Sequence, residues 1–106
     1  MSDEQWRAFI SQGTRTGKLA TVRVRGSSHV VPLWFALDGD ELVFQTEKNS
    51  VRGRNLVRDP RFALAVDDAP PYAFAVLHGH ARNGGTGIIN IYGRNDKVTA
   101  FDGIAD

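Results

Sequence analysis

The chain has no cysteine and only three histidines among its 106 residues. The missing thiols exclude disulfide bonds and thiolate metal ligands, and the few imidazoles leave little for zinc, so no metal site is predicted. No apolar run approaches the roughly 20 residues that a membrane span needs, and the acidic N-terminus lacks the apolar stretch of a signal peptide. We therefore expect a cytoplasmic protein without a membrane span.

The net charge is only +1, but five cations fall in one short stretch. Nucleic-acid sites usually place exposed stacking aromatics beside their cations, whereas Trp34 and Phe35 lie in apolar strand patterns. We therefore expect a surface that binds a small anionic molecule, and no nucleic-acid partner. The cations of this stretch are Lys48, Arg52, Arg54, Arg58 and Arg61.

A chain of this length predicts one domain over residues 1–106, with a core that is sufficient but not generous. Its first ten residues are typical of a short amphipathic helix, because Ser2 and Gln5 fit a capping box. Trp6 and Ile10 share the apolar face of that helix. Burial against a partner subunit would add to the stability of so small a core.

From residue 18 the apolar period changes to two, which is typical of half-buried β-strands. The turns between the first three strands are too short to hold crossover helices, so the strands are antiparallel. The pattern predicts a mainly β protein, a small barrel or strongly curled sheet, with a short N-terminal helix and one helix after the third strand. The predicted strands cover residues 18–25, 29–37, 41–46, 61–66 and 72–80.

Residues 49–60 predict a turn and a helix that is suited to hold a phosphate. Asn49 or Ser50 caps the helix, its first N–H groups point outward, and Arg52 and Arg54 add positive charge. The hypothesis is a bound phosphorylated cofactor. The alternative is a capped surface helix with solvated arginines, closed by an Asp-Pro pair.

Two residues of the second predicted strand have competing interpretations. Pro32 cannot donate a ladder hydrogen bond, so it indicates a sheet edge, a bulge or a stretch of backbone that faces a ligand. Trp34 lies on the same face and is either a flat surface for a ring system or a tryptophan of the core or of a dimer interface.

Four ordered blocks of the sequence, residues 19–22, 29–35, 42–46 and 51–61, resemble successive signatures of the pyridoxamine 5'-phosphate oxidase-like split β-barrel proteins. The best match is to the branch that uses the deazaflavin F420. The resemblance covers almost all of residues 1–82 and implies a six-stranded, FMN-binding-like split β-barrel. It also implies a homodimer with the cofactor in a groove at the subunit interface.

The same resemblance implies which residues bind the cofactor. Its phosphate would lie against Ser50 and Arg52, with Thr46, Asn55 and Arg54 in support. Its ring system would lie along the second strand. The implied cofactor-binding residues are Val31, Pro32, Leu33, Trp34, Thr46, Ser50, Arg52, Arg54 and Asn55.

One departure from the resemblance favours F420 over FMN. The FMN branch usually has Ser-Arg-Lys where this chain has Ser50, Val51 and Arg52, so one phosphate-binding cation is missing. F420 carries an oligoglutamate tail, whose carboxylates a broad basic surface would complement. That surface would comprise Arg23, Arg25, Lys48, Arg54 and Arg58.

A second departure concerns the segment between Arg82 and Lys97, which looks shortened. The family has a longer, largely helical segment there, whereas here a glycine-rich stretch, predicted to be a flexible turn, leads quickly to a last strand over residues 97–103. A substrate-pocket wall that this segment forms in the family is therefore not expected to be the same in this chain.

The resemblance implies an F420-dependent oxidoreductase that transfers a hydride between the deazaflavin and a conjugated small-molecule acceptor. The alternatives are an FMN-binding oxidoreductase of the same fold and a non-catalytic F420 carrier. No catalytic residue is assigned, because Tyr72, His78, His80 and water are all open candidates for the proton donor.

Overall fold

The computed structural model of the chain describes residues 2–12, 16–39, 41–47, 50–68, 73–83 and 88–101. Within these ranges the chain forms two helices and seven strands, and no helix there is long and apolar enough to cross a membrane. The elements are α1 Asp3–Ser11, β1 Thr16–Val22, β2 Ser28–Trp34, β3 Ala36–Asp38, β4 Glu41–Glu47, α2 Val51–Arg58, β5 Arg61–Asp68, β6 Ala73–Asn83 and β7 Ile88–Phe101.

All seven described strands belong to one antiparallel sheet, in the order β2-β1-β5-β6-β7-β4-β3. The strands at the two ends of this order, β2 and β3, are separated in the chain by a single residue, Phe35. The sheet therefore curls until its two ends meet at that residue. This confirms the predicted mainly β split barrel with a helix at the N-terminus and another before β5.

The strand count of six was wrong by one, because the predicted strand over residues 29–37 is interrupted at Phe35. Its first part pairs with β1, where Leu33 lies opposite Gly17, and its second part pairs with β4, where Ala36 lies opposite Val43. Since β1 and β4 lie far apart in the sheet order, one straight strand cannot follow both. The side chain of Phe35 packs against the core at this bend.

The last strand also differs from its prediction. It begins at Ile88 instead of residue 97 and is long enough to pair with β6 along one edge and with β4 along the other. The predicted flexible turn over residues 84–87 and residues 102–103 of the predicted strand lie outside the described residues. The inferred shortening of this region stays a prediction.

The core lies inside the curled sheet and is formed by the alternate residues that point inward. Its largest fully buried side chains are Leu19, Leu42, Leu64, Leu77 and Val66. Burying a side chain of this kind contributes about 1.5–3 kcal/mol, and these five residues belong to β1, β4, β5 and β6.

Helix α1 packs Trp6 and Ile10 into the same core, as its apolar face predicts. Its predicted capping box is present: the Gln5 N–H donates to Ser2 Oγ at 3.2 Å, and the Ser2 N–H donates to Gln5 Oε1 at 2.7 Å. Both bonds satisfy backbone groups that a helix end leaves without partners.

The hairpin of β6 and β7 contains a β-bulge. His78 lies opposite Lys97 but Gly79 lies opposite Asn95, so Asp96 is an extra residue in β7. A Cβ atom on Gly79 would lie 1.9 Å from the carbonyl oxygen of Arg94. Only glycine therefore fits opposite the bulge.

Candidate functional site

The amino end of helix α2 is built to accept an anion. Ser50 is its N-cap, with Oγ accepting from the Gly53 N–H at 3.1 Å and the backbone carbonyl accepting from the Arg54 N–H at 2.9 Å. The first turn contains no acidic residue. The N–H groups of residues 51 and 52 have no intrahelical acceptor, so the positive end of the helix dipole is not neutralised by the helix itself.

Arg52, in this first turn, holds a buried polar atom without a partner. Its Nε is buried and has no hydrogen-bond acceptor among the residues that the structure describes. A buried N–H that stays unpaired costs about 1–3 kcal/mol, and more for a charged group. An oxyanion placed against this guanidinium would relieve that cost.

Arg52 lies at the wall of an open cleft of about 510 Å³, a size typical of small-ligand sites. The bend between β2 and β3 forms one side of the cleft, and β4 forms another. Trp34, at the bend, leaves 74% of its surface exposed, so its ring offers an apolar plane to the cleft. The residues around the cleft are Pro32, Leu33, Trp34, Phe35, Ala36, Val43, Phe44, Gln45 and Arg52.

The structure brings four of the sequence-predicted site residues together at this cleft, namely Pro32, Leu33, Trp34 and Arg52. Ser50 lies two residues before Arg52, as the N-cap of α2. Sequence reasoning missed the contribution of β4, whose residues 43–45 line the opposite wall. The alternation of that strand, which ends next to the phosphate turn, is the signal that points to them.

The other predicted site residues lie elsewhere or are occupied. Val31 is half-buried and packs against the core, while Arg54 is exposed on α2 and does not line the cleft. Thr46 belongs to β4, but its side chain lies outside the described part of the structure. Their roles toward a cofactor stay predictions.

Asn55 has a structural role that the sequence did not suggest. Its side chain is buried, with 4% exposed, and Nδ2 donates to Thr21 Oγ1 of β1 at 3.0 Å. Its Oδ1 accepts from Arg58 Nη2 at 3.2 Å, and Arg58 also donates to the Val22 carbonyl. These bonds hold α2 against β1, so the amide acts inside the protein, and its predicted support of the phosphate stays a prediction.

An ion pair lies at the carboxyl end of α2, where Asp59 is the C-cap. The Arg61 side chain donates hydrogen bonds to Asp59, with Nη2 2.7 Å from Oδ2, and these bonds lower the pKa of Asp59 from 3.8 to about 2. The same bonds raise the pKa of Arg61. A lowered carboxyl pKa stabilises the folded state at pH values above the ordinary pKa of that group. The Asp59–Arg61 ion pair therefore weakens only as the pH falls toward 2.

The proposed basic surface is only partly available to a ligand. Arg23 and Arg25 are exposed in the turn after β1, but Arg58 is engaged with Asn55 and the Val22 carbonyl. Lys48 lies outside the described residues. The available cations near α2 are thus fewer than the sequence indicated.

In the described ranges no three potential metal-ligating side chains form a group. Two of the open proton-donor candidates, His78 and His80, are exposed on β6 away from the cleft, and Tyr72 lies outside the described residues. None of the three is assigned a role in the cleft.

Sequence comparison places the chain in a family. The profile of the family described as pyridoxamine 5'-phosphate oxidase matches residues 2–101. The chain belongs to the pyridoxamine 5'-phosphate oxidase family. No curated protein shows significant sequence similarity to it.

Solved structures with the same fold agree with this membership. A conserved hypothetical protein of Mycobacterium tuberculosis superposes with a TM-score of 0.88 at 20% identity, over 97% of this chain and 86% of the other. A protein described as an F420 reductase gives 0.79 at 22% identity, over 87% and 94%. A FAD-binding protein of Mesorhizobium loti gives 0.83 at 15% identity, over 94% and 92%. At these identities the likeness shows the fold alone.

Replacing Asn55 by Ala tests its role in holding α2. The change leaves a buried hydroxyl on Thr21 and part of the Arg58 guanidinium without their partner, so we expect the free energy of unfolding to fall by about 1–3 kcal/mol. Val57→Ala is the matched control, because Val57 is an exposed residue of the same helix. Urea denaturation of both variants measures the difference, and equal stabilities would contradict this role for Asn55.

Proposed function

We propose that this member of the pyridoxamine 5'-phosphate oxidase family is an F420-dependent oxidoreductase that acts on a conjugated small-molecule acceptor. The observation that carries the proposal is the buried, unpartnered Nε of Arg52 at the wall of the cleft. This atom lies in the first turn of a helix whose amino end also favours an anion. The residues present thus fit a phosphorylated cofactor.

Within this proposal, the chain divides the binding of the cofactor between two elements. The amino end of α2 and Arg52 hold the phosphate through N–H donors and charge. Pro32 and Trp34, at the bend, provide the apolar surface for the ring system. When bound, a deazaflavin supplies hydride transfer, and the protein positions the acceptor and excludes water.

The choice of F420 over FMN rests on the charges around α2. Val51, at the position where the FMN branch carries a cation, is an aliphatic residue that is 42% exposed. Arg23, Arg25 and Arg54 are exposed and do not line the cleft. Cations outside the ring-binding cleft suit a ligand with an anionic tail better than one that ends at its phosphate.

Two related functions are kept as alternatives. An FMN-binding oxidoreductase would use the same helix end and the same Arg52, and the FAD-binding structural neighbour favours a flavin of some kind. A non-catalytic F420 carrier would also use them. Only a space above the bound ring for an acceptor would distinguish the enzyme from the carrier.

We also propose a homodimer, formed through the outer face of the sheet. Ala20, Ala63, Ala65 and Val76 lie side by side on this face, where Ala20 pairs with Ala63 and Ala65 with Val76. The exposed Val30 continues the apolar surface on β2. Lys18, opposite Ala65, and His78, opposite Ala63, share this face, so the apolar residues cover only part of it. A sheet face that meets water is normally polar, and this apolar patch favours a second copy of the chain as its cover.

The cofactor-binding role of Arg52 is tested by substitution. Removing the guanidinium in Arg52→Ala deletes a charge-assisted hydrogen bond, so we expect affinity for F420 to weaken by about 1.5–3 kcal/mol. Arg61→Ala is the control, since Arg61 pairs with Asp59 and does not line the cleft. Absorbance of the desalted protein after incubation with F420 or FMN reports which chromophore is retained, and unchanged retention in Arg52→Ala would remove the basis of the proposal.

The tail cations give a second test, which separates F420 from FMN. If Arg23, Arg25 and Arg54 meet tail carboxylates, affinity increases with the number of glutamates and decreases between low and physiological salt, because exposed charges are screened. Calorimetric titrations at two salt concentrations measure both effects. Tighter binding of FMN than of F420 would assign the chain to the flavin-mononucleotide alternative.

The dimer is tested at the apolar face of the sheet. Ala65→Arg places a charge in the middle of that face, so we expect the dimer to dissociate at micromolar concentration. Ala8→Arg makes the same change on the exposed side of α1 and is expected to leave the dimer intact. Light scattering measures the mass of both variants, and a monomeric wild-type protein would contradict the proposal.

A further inference from the structure

A second concavity of about 900 Å³ lies apart from the cleft and shares no lining residue with it. We call it the bulge groove, because the bulged hairpin of β6 and β7 forms one side of it. The start of β4 and helix α1 form the others. Neither the family membership nor the proposed cofactor accounts for this groove.

An ion pair and a histidine–carboxylate hydrogen bond line the bulge groove. Arg82 Nη2 lies 2.9 Å from Glu41 Oε1, and His80 Nδ1 lies 2.8 Å from Asp96 Oδ2. The second pair crosses from β6 to the extra residue of β7. It holds the His80 ring in one orientation at the wall of the groove.

The α1 side of the groove adds no net charge. Asp3 Oδ1 accepts a hydrogen bond from Trp6 Nε1 at 3.3 Å, and the Arg7 guanidinium lies over the Trp6 ring, 5.1 Å from its centre. One acid and one base therefore face the groove from this helix. They balance each other.

Arg94 and Lys97 are the cations that remain. Both are exposed at the groove, and neither has a hydrogen-bond or ion-pair partner among the described residues. Each side chain keeps its donors directed to solvent. With His80 counted as neutral, four cations and three carboxylates line the bulge groove, so it carries an excess of one positive charge.

The bulge explains why these two cations lie together. Residues 94 and 97 of a regular strand would point to opposite faces of the sheet, because side chains alternate. The extra residue places both side chains on the same face of the sheet. Arg94 lies opposite His80 and Lys97 lies opposite His78, and these two histidines are two residues apart on one face of β6. The glycine required at position 79 makes this bulge possible.

We propose that the bulge groove binds a small molecule through a phosphate group, with Arg94 and Lys97 as its ligands. The fork of Arg94 matches two phosphate oxygens, and the ammonium of Lys97 adds a compact charge. His80, positioned by Asp96, borders the same space. The volume of the groove accommodates more than a phosphate, so a phosphate ester fits it.

The test uses inorganic phosphate as the probe, at constant ionic strength, with the amide and imidazole NMR signals of the full chain as the readout. We expect saturable shifts at residues 94–98 and at the His80 ring. Lys97→Gln is expected to weaken binding about tenfold, the scale of one lost charge-assisted hydrogen bond. The double variant Arg94→Gln, Lys97→Gln is expected to abolish these shifts.

Two controls separate the groove from the rest of the surface. Arg23→Gln with Arg25→Gln removes two exposed cations far from the groove in sequence and is expected to leave the shifts at residues 94–98 unchanged. Arg52→Ala is expected to leave them unchanged as well, so a failed cofactor site and a failed groove are distinguishable. Lys97→Gln alone decides the matter if the double variant does not fold.

Three results would overturn the proposal. The first is a shift that grows linearly with phosphate without saturating, and the second is a response confined to the amino end of α2. The third is an equal loss in the groove variants and in the Arg23, Arg25 control, which would mean that total charge and not the groove governs binding.

Discussion

The buried hydrogen bond between Asn55 and Thr21 determines where helix α2 lies on the barrel. In the part of the chain that the structure describes, these are the two buried polar residues, 4% and 2% exposed. A polar pair in an apolar core is satisfied only when its members meet, so it specifies one position of α2 on β1. Arg52 is three residues before Asn55, within one helical turn, and its direction toward the cleft follows from that position.

The bend at Phe35 is the second constraint on the cleft. It joins the two ends of the sheet and so brings β2 and β3 beside β4. Trp34 immediately precedes the bend and is left exposed, while Phe35 packs inward. Closing the barrel and opening the cleft are thus consequences of the same local geometry.

Much of this fold could be predicted from local sequence signals. The capping box of Ser2 and Gln5, the cap at Ser50 and the alternation of the strands all report on neighbours within a few residues. The bend at Phe35 could not be predicted, because the period of two continues from residue 29 to residue 37 whichever strand is the partner. The full length of β7 was not predicted either, because its pairing with both β4 and β6 depends on tertiary contacts.

The candidate site shows the same limit. Arg52 and Trp34 were predicted because their side chains suit a phosphate and a ring system. The contribution of β4 could not be predicted, because β4 borders the cleft only once the sheet has closed. The structural role of Asn55 was not predicted from the sequence. Its burial depends on Thr21, which is 34 residues away in sequence.

The two proposed anion-binding surfaces differ in how far water has been removed from their cations. In the cleft, the Nε of Arg52 is buried and its side chain is half-buried, so part of the guanidinium has already lost its contact with water. In the bulge groove, Arg94 and Lys97 are exposed, so a ligand must compete with water and counterions for both. The cleft is therefore suited to retain a cofactor, whereas the groove is suited to a ligand that exchanges with solvent.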